Sequence, residues 1–300
     1  MLVTGGSGFI GRATVRALLE GGASVTVADL RAFPDPDVPT VVGDLRDPAC
    51  RSEAVATGTD TIVHLAAMTS VLRSVEEPVA VYDTNVAATA GLLELARERG
   101  IERFVFASTN AVAGDVGDQL IHEGLALAPL TPYGATKAAA EMLMSAYGAS
   151  YGLQACALRL TNVYGRGMGV KDSFIARLLR HAKAGTEAQV YGDGEQRRDF
   201  VFLDDVVRAF TQTCGDGCSG VLVVGSGHSV TMNELLDEVR AVTGAALPAR
   251  HTDPKPGEMR AVRVDVSRAR QAGWEPQVDL RQGLTETWRD ARGWADPSAP

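Results

Sequence analysis

Short apolar runs alternate with longer amphipathic stretches through the first half of the chain. Six runs have the length and hydrophobicity of buried strands, over residues 1–3, 24–28, 40–42, 61–67, 103–107 and 155–160. Three stretches are predicted to be helices, over residues 12–20, 78–99 and 132–151. Because strands that alternate with helices favour parallel pairing, this pattern predicts an α/β fold with a doubly wound parallel sheet. Ligands of such sheets bind at the carboxyl ends of the strands.

The alternation breaks after Asn162, where glycines and charged residues become denser. Three later elements are predicted, one strand and two helices, over residues 220–224, 233–243 and 280–292. We therefore predict that residues 1–162 form the sheet domain. Residues 163–300 are predicted to form mainly a smaller, interleaved substrate-binding lobe, with some segments that return to the sheet.

The composition is that of an ordinary globular protein. Of the 300 residues, 45% are hydrophobic and 22% are charged, and the net charge of -8 argues against nucleic acid or anionic membranes as partners. No apolar run approaches the ~20 residues that span a bilayer, and the N-terminus lacks the basic region of a signal peptide. Cys214 and Cys218 have no second ligand pair, so they are predicted to be loop thiols rather than a metal site. Four cysteines form no disulfide framework, which favours a cytoplasmic location.

A glycine-rich turn, Thr-Gly-Gly-Ser-Gly-Phe-Ile-Gly over residues 4–11, joins the first strand to the first helix. The first glycine allows the tight turn, the third lets the backbone approach a pyrophosphate, and the last lets the helix pack closely. The free N–H groups at the helix start then face the phosphates. The turn therefore predicts a dinucleotide site on a Rossmann-type fold. Its contact residues are predicted to be Gly5, Gly8, Phe9, Ile10 and Gly11.

An acidic residue ends the second strand, about twenty residues beyond the glycine turn. Asp29 in this place accepts hydrogen bonds from the adenosine ribose hydroxyls and repels a 2′-phosphate. It therefore predicts NAD rather than NADP. Arg31 nearby weakens this prediction, since an arginine would hold a 2′-phosphate.

Tyr133 and Lys137 are four residues apart at a helix start, which places both on one face of the helix. An unperturbed tyrosine has a pKa of ~10, but a nearby ammonium and the positive charge of a nicotinamide favour the phenolate. Such a tyrosine takes a proton from a substrate hydroxyl as hydride leaves the same carbon. Thr109, at the end of the preceding strand, is predicted to hydrogen-bond the same substrate oxygen.

With these motifs the chain resembles the extended short-chain dehydrogenase/reductase family, in its nucleotide-sugar epimerase/dehydratase branch, over nearly all of its length. The resemblance implies NAD as cofactor and places Thr109, Tyr133 and Lys137 at the catalytic positions. It implies an acid at the adenine, Asp44, and a structural asparagine that supports the active site, Asn85. Asn85, Tyr133 and Lys137 are also implied to contact the cofactor, and the remaining implied contacts are Leu45, Leu65, Ala66 and Ala67.

The resemblance also implies a nucleotide-diphosphate sugar as substrate. Residues 159–165 are similar to the family's Arg-x-x-Asn-Val-Tyr-Gly segment, and residues 191–201 to its Gly-Asp-Gly-x-Gln-x-Arg-Asp-Phe-Val stretch. Residues 256–260 look like a further nucleotide-contacting motif. The implied substrate contacts are Asn162, Arg198 and Arg260 at the diphosphate, Ser173 and Phe174 at the base, and Tyr191.

The two residues that directly follow Thr109 distinguish between the possible reactions. Dehydrating members of the branch resemble one another in an Asp-Glu pair there, and decarboxylating members tend to carry a glutamate, whereas this chain has Asn110 and Ala111. We therefore predict NAD-dependent C4 epimerisation through a transient 4-keto intermediate, on a sugar of the UDP-glucose/galactose or UDP-glucuronate type. The protein then supplies position and electrostatics for chemistry that belongs to the cofactor.

Other interpretations of the sequence stay open. One is a reductase of NDP-4-keto-6-deoxyhexoses with exchangeable cofactor, another is a nucleotide-sugar dehydratase, and the last is a non-catalytic NAD-binding regulator, which the intact catalytic set argues against. Ala113 replaces a tyrosine common in the family and would widen the sugar pocket, while Lys171 would pair with a sugar carboxylate. The family often pairs through four helices, which predicts a homodimer through residues 78–99 and 132–151.

Overall fold

The computed structural model describes residues 1–215, 218–254 and 259–294. Seven parallel strands form the main sheet, in the order β3-β2-β1-β4-β5-β6-β10. The strands of the chain are β1 (Leu2–Thr4), β2 (Thr26–Asp29), β3 (Thr40–Val42), β4 (Thr61–His64), β5 (Arg103–Thr109), β6 (Gln154–Leu160), β7 (Asn162–Tyr164), β8 (Ala188–Tyr191), β9 (Arg197–Phe202), β10 (Gly220–Val224), β11 (Ser229–Thr231) and β12 (Ala249–Thr252). The predicted Rossmann-type parallel sheet is thereby confirmed.

Helices cover both faces of the sheet and build most of the second part. They are α1 (Phe9–Glu20), α2 (Pro48–Ala54), α3 (Val71–Glu76), α4 (Pro78–Tyr82), α5 (Ala88–Glu98), α6 (Pro132–Tyr151), α7 (Phe174–Ala184), α8 (Leu203–Thr213), α9 (Met232–Thr243), α10 (Ser267–Gln271) and α11 (Leu280–Ala291). A π-helical turn, Asp83–Ala87, joins α4 to α5, and Asn110–Ala113 and Met168–Val170 are 3₁₀ turns.

The boundaries of α6 show why the local sequence forms a helix there. The Thr131 side chain accepts a hydrogen bond from the backbone N–H of Gly134, and Pro132 occupies the first turn, where its missing N–H costs nothing. Gly152 ends the helix with a left-handed φ of 75°. The start of α6 therefore lies at a defined place beside the end of β5.

Two small sheets belong to the later part of the chain. One has the order β11-β9-β7 and the other pairs β12 with β8. The predicted strand 220–224 is present, and it extends the main sheet beside β6. Thus the first 160 residues supply six strands of that sheet, and a segment some sixty residues later returns to supply the seventh.

Several element boundaries differ from the predicted ones. The predicted strand 61–67 ends at His64, because the backbone N–H of Ala66 donates to the Thr4 hydroxyl instead of to a strand partner. The predicted helix 78–99 contains the π-helical turn, which inserts one extra residue into the helical repeat. Helices α7 and α8 and the small sheets of the second part were not predicted.

Candidate active site

The glycine turn has the geometry that a bound diphosphate requires. Gly5 has a φ of +69°, and a Cβ atom on it would lie 2.6 Å from the backbone nitrogen of Ala66. A Cβ atom on Gly11 would lie 2.1 Å from the carbonyl oxygen of Gly5. Helix α1 begins after Gly8 without a side-chain cap, so its first N–H groups have neither a helical nor a side-chain acceptor. These residues, with Phe9 and Ile10 in the first turn, fit the diphosphate of NAD.

Asp29 lies against this turn at the end of β2. Its Oδ2 atom accepts a hydrogen bond from the backbone N–H of Ser7 at 3.0 Å, and its Oδ1 atom accepts one from the N–H of Arg31 at 3.2 Å. The carboxylate is partly exposed beside the turn, which is the place predicted for the ribose contact. The Arg31 side chain is exposed.

The predicted adenine contact, Asp44, already has a partner within the chain. Its carboxylate accepts hydrogen bonds from Arg46, with Nη2 2.6 Å from Oδ2, and this interaction lowers the pKa of Asp44. Both side chains remain partly exposed, so the pair contributes little to stability. Leu45, the next residue, is buried under the sheet edge.

Leu65, Ala66 and Ala67 follow β4 and are partly exposed next to the glycine turn. They directly follow a buried histidine, His64, at the end of β4. His64 Nδ1 lies 2.6 Å from the Thr4 hydroxyl, and Nε2 lies 2.9 Å from the hydroxyl of Thr89. Because Thr89 donates its own proton to the carbonyl of Asn85, Nε2 is the protonated nitrogen of a neutral ring. His64 therefore positions the end of β4.

Burial lowers the pKa of His64 from 6.5 to about 3. The unfolded chain takes up this proton below pH 6.5, whereas the folded chain does not, so stability falls as the pH drops through this range. We expect the free energy of unfolding in urea to fall by about 2 kcal/mol more between pH 7.5 and pH 5 than in His64→Gln. An equal pH-dependent loss in both proteins would contradict this assignment.

Asn85 connects the loop after β4 to helix α6. Its Oδ1 atom accepts from the N–H of Met68, and its Nδ2 atom donates to the carbonyl of Met68 and to the hydroxyl of Thr136. The Thr136 hydroxyl in turn donates to the carbonyl of Tyr133. Asn85 is buried, and its amide is occupied by these protein contacts. Asn85 thus links the loop after β4 to the start of α6, and its contact with the cofactor stays a prediction.

Thr109 and Tyr133 meet at the end of β5 and the start of α6. Their side chains lie close enough for Thr109 to stabilise the charged form of Tyr133. Burial raises the pKa of Tyr133 to about 12, and the Thr109 side chain opposes this rise. Thr109 Oγ1 also accepts from the N–H of Ala111, 3.2 Å away, which fixes the threonine rotamer. In this chain Tyr133 is therefore a neutral phenol at neutral pH, with its hydroxyl held beside Thr109.

Lys137 is buried one helical turn after Tyr133. Its Nζ atom donates to the carbonyl of Ala107 at 2.8 Å and lies 4.3 Å from the centroid of the Phe106 ring. Burial lowers its pKa to about 7, and the charge of Glu141 opposes this shift. The ammonium thus lies behind the Thr109–Tyr133 pair, anchored to β5.

A buried ion pair behind Lys137 was not predicted. Glu141 accepts three hydrogen bonds from Arg159 on β6, the shortest of them 2.7 Å, and one from Ser108. Glu141 and Arg159 are both almost fully buried. The spacing of Tyr133, Lys137 and Glu141, four residues apart twice on α6, is the sequence signal that indicates this continuation of the catalytic face.

Removal of one partner should leave the other charge buried and uncompensated. We expect Glu141→Gln to lower the free energy of unfolding by about 3–5 kcal/mol, measured in urea. The double variant Glu141→Leu, Arg159→Met removes both charges and should lie much closer to wild type. A single variant as stable as wild type would show that the pair does not hold α6 against β6.

Five of the six implied substrate contacts line one pocket of about 150 Å³ in the second part of the chain: Asn162, Ser173, Phe174, Tyr191 and Arg198. One wall is formed by β7 and β9 and the other by α7 and β8. The Nδ2 atom of Asn162 donates to the carbonyl of Asp199, which ties this residue to β9. Ser173 caps helix α7 by accepting from the N–H of Ala176.

Arg260 lies outside the residues that line this pocket. Its carbonyl accepts from the N–H of Arg197, so its backbone runs beside β9, and its side chain is exposed. The preceding residues of its predicted motif, 256–258, lie outside the described residues. The contact of Arg260 with a diphosphate stays a prediction.

The structure shows the surroundings of Asn110, Ala111, Ala113 and Lys171, on which the choice of reaction and substrate was based. Asn110 and Ala111 begin the 3₁₀ turn after β5, and no residue of that turn is acidic. Ala113 is buried in an apolar cluster with Ile121 and Val264. Its methyl group therefore packs in the core, and the widening of a sugar pocket at this position stays a prediction. The Nζ atom of Lys171 lies 5.0 Å from the centroid of the Phe9 ring, beside the glycine turn.

Metal ligands, cysteines and membrane-spanning helices also bear on the class of protein. Within residues 1–215, 218–254 and 259–294, no group of three or more His, Cys, Asp or Glu side chains is placed to hold a metal ion. Cys214 is buried at the end of α8, and the Sγ atom of Cys218 lies 2.8 Å from that of Cys156 on β6. None of the helices described combines the length and the hydropathy that crossing a membrane requires.

Residues 1–225 match the model of the NAD dependent epimerase/dehydratase family. UDP-glucose 4-epimerase of Thermus thermophilus, solved with NAD, is similar in structure, with a TM-score of 0.92 and 33% identity over 98% of this chain and 99% of that chain. MoeE5 in complex with UDP-glucuronic acid and NAD has a TM-score of 0.89 and 36% identity, over 97% and 98% of the two chains. The dTDP-glucose 4,6-dehydratase of Streptomyces niveus is 34% identical over 320 residues, 99% of this chain and 95% of that protein. By fold, by motifs and by these similarities, the chain belongs to the NAD-dependent epimerase/dehydratase family, and NAD is its cofactor.

Proposed function

We propose that the chain is an isomerase that inverts C4 of a nucleotide-diphosphate hexose. One observation carries the proposal: the neighbouring side chains of Thr109 and Tyr133 adjoin a turn, Asn110–Ala113, that carries no carboxylic acid. A proton acceptor for a sugar hydroxyl is present, whereas a carboxyl group for the elimination of water is missing from the position where dehydratases carry it.

Bound NAD supplies a hydride acceptor that later returns the hydride. Tyr133 accepts the proton of the 4-hydroxyl, and Thr109 holds the same oxygen by a hydrogen bond. Since burial outweighs the opposing effect of Thr109 and raises the pKa of Tyr133 to about 12, the phenolate needs added positive charge, which the oxidised cofactor and a protonated Lys137 would provide. After the 4-keto sugar turns over, Tyr133 returns the proton to the other face of C4. The cofactor is regenerated in each cycle and need not leave.

The substrate class that the similarities support is a UDP-hexose. The Thermus protein is named as a UDP-glucose 4-epimerase, and MoeE5 was solved with UDP-glucuronic acid. We therefore propose UDP-glucose/galactose or UDP-glucuronate as substrate. Arg198 in the pocket wall would bind the diphosphate, because a guanidinium matches phosphate oxygens in a planar fork.

The test is an incubation without added cofactor. The purified protein is mixed separately with UDP-glucose, UDP-galactose, UDP-glucuronate, UDP-N-acetylglucosamine and dTDP-glucose, and the products are followed by NMR and mass spectrometry. A new sugar of unchanged mass is expected from one of them. Conversion only of a 4-keto sugar, and only after NAD(P)H is added, would show a reductase instead.

Dehydration is the second candidate, because the Streptomyces niveus dehydratase is similar over almost the whole chain. The same incubation decides between the two. A product lighter by one water would show that elimination proceeds without a carboxyl group at Asn110 or Ala111.

We also propose that the chain forms a homodimer in the cytoplasm. Helices α3, α4 and α6 contact one another and leave large apolar side chains exposed, among them Val79 at 70% and Met142 at 66%. Exposed apolar surface of this kind is typical of a protein interface.

The dimer has a direct test in size-exclusion chromatography with light scattering. We expect twice the 31.6 kDa of one chain for wild type, and a shift towards the monomer for Val79→Glu. Val170→Glu, at a 93% exposed valine outside these helices, should leave the mass unchanged. A wild-type monomer would contradict the dimer.

A further inference from the structure

We propose that Arg177 recognises the base of the substrate nucleotide and selects uracil-like bases over cytosine. This inference rests on the proposed nucleotide-sugar activity and adds a specificity residue to it. Arg177 lines the pocket together with Phe174 and Tyr191. It was not among the site residues predicted from the sequence.

Two aromatic rings hold the guanidinium of Arg177 in the pocket wall. Its Cζ atom lies 5.9 Å from the centroid of the Phe174 ring and 6.0 Å from that of the Tyr191 ring. Both distances are within the range of cation–π attraction. The nearest carboxylate oxygen is that of Asp172, at 3.7 Å, and this side chain is 77% exposed, so the ion pair is weak. The guanidinium is thus oriented while its N–H donors stay available to a ligand.

The polar and the aromatic residues of the pocket indicate where the diphosphate and the base of the nucleotide would bind. Asn162 and Arg198 stand on the wall formed by β7 and β9, where polar and cationic groups suit a diphosphate. Phe174 and Tyr191 belong to α7 and β8, and aromatic faces of this kind suit a planar base. Because the Cζ atom of Arg177 lies within 6.0 Å of both ring centroids, it lies in the part of the pocket where the base would stack.

The chemistry of the guanidinium then decides which base is favoured. It carries five N–H donors and no acceptor. Uracil and thymine present carbonyl oxygens at both positions 2 and 4, whereas cytosine presents an amino donor at position 4. A guanidinium that donates to the position-4 oxygen of uracil discriminates by roughly 10- to 100-fold against cytosine, which offers a donor at that position. A lysine at the same place keeps the charge but loses the planar fork.

Isothermal titration of the NAD-containing protein with UDP, CDP and pyrophosphate tests the proposal. Wild type should bind UDP roughly 10- to 100-fold more tightly than CDP. Arg177→Met should lose most of this preference, chiefly by weaker UDP binding, while its affinity for pyrophosphate stays unchanged. Arg177→Lys should also lose the preference. Arg289→Met, at an exposed arginine on α11, should behave as wild type.

The other outcomes overturn the proposal in distinguishable ways. Equal losses of UDP, CDP and pyrophosphate affinity in Arg177→Met would place the arginine at the phosphates. An unchanged UDP/CDP ratio in both Arg177 variants, or CDP bound as tightly as UDP by wild type, would exclude base selection by this residue. If wild type binds no nucleoside diphosphate at all, the proposed function itself fails, and base recognition fails with it.

Discussion

Tyr133→Phe should reduce kcat for the converted sugar by about 10²- to 10⁴-fold, while the protein still binds NAD and substrate. The change removes only the hydroxyl beside Thr109, and the aromatic ring remains. Without that oxygen no side chain of the pair can take the proton from the 4-hydroxyl, because the threonine hydroxyl is far too weak a base. The measurement is the initial rate of epimerisation, followed by NMR.

Two controls separate this effect from a structural one. The NAD content after purification and the affinity for UDP should stay within a few-fold of wild type, since the change leaves the glycine turn and the pocket that holds Arg198 unaltered. Thr109→Ser keeps the hydroxyl and should retain much more activity than Thr109→Val. A Tyr133→Phe protein with wild-type kcat would show that another group moves the proton.

Gly11→Ala should abolish the retention of NAD and destabilise the chain by about 1–3 kcal/mol. The new Cβ atom would lie 2.1 Å from the carbonyl oxygen of Gly5 and 2.7 Å from the Cα atom of Gly6. Both are backbone atoms, so the whole turn must shift away from the helix start. The displacement moves the N–H groups that face the diphosphate. NAD released by acid denaturation of the purified protein, measured spectroscopically, reports the loss.

The other end of helix α1 offers a matched control. Gly21 has a φ of -75°, and a Cβ atom on it would approach other atoms only to 3.4 Å. Gly21→Ala should therefore keep its NAD and gain about 0.4–1 kcal/mol, because alanine restricts the unfolded chain. If Gly11→Ala also retained NAD, the close contact in the turn would not govern cofactor binding.

The parallel sheet was predictable because its strands are buried on both faces. Val3, Ile62 and Val63 have no exposed surface, and a strand of this kind is a continuous apolar run in the sequence. The glycine turn and the Tyr133–Lys137 pair were predictable for a related reason. The residues of each motif are at most seven positions apart, so local geometry is sufficient to relate them to one another.

The second part of the chain gave much weaker signals. Strand β9 begins with two arginines and contains Asp199, which is fully buried because Thr161 and Ser226 donate hydrogen bonds to its carboxylate. Such a strand follows neither a continuous apolar run nor an alternation. The sequence does contain start and stop signals for helix α7, which the prediction missed. They are a serine cap at Ser173 and a glycine with left-handed φ at Gly185.

Local pattern thus accounts for the cofactor turn, for the facing positions of Tyr133 and Lys137, and for the strand ends that lead to them. Tertiary packing alone brings Glu141 on α6 against Arg159 on β6, and Arg177 on α7 against Tyr191 on β8. These pairs are 18 and 14 positions apart in the chain, and they join a helix to a strand across a packed interface. No helical or strand repeat relates two residues in different elements. Their contact is set by how the elements pack, because packing decides which side chains share a volume from which water is excluded.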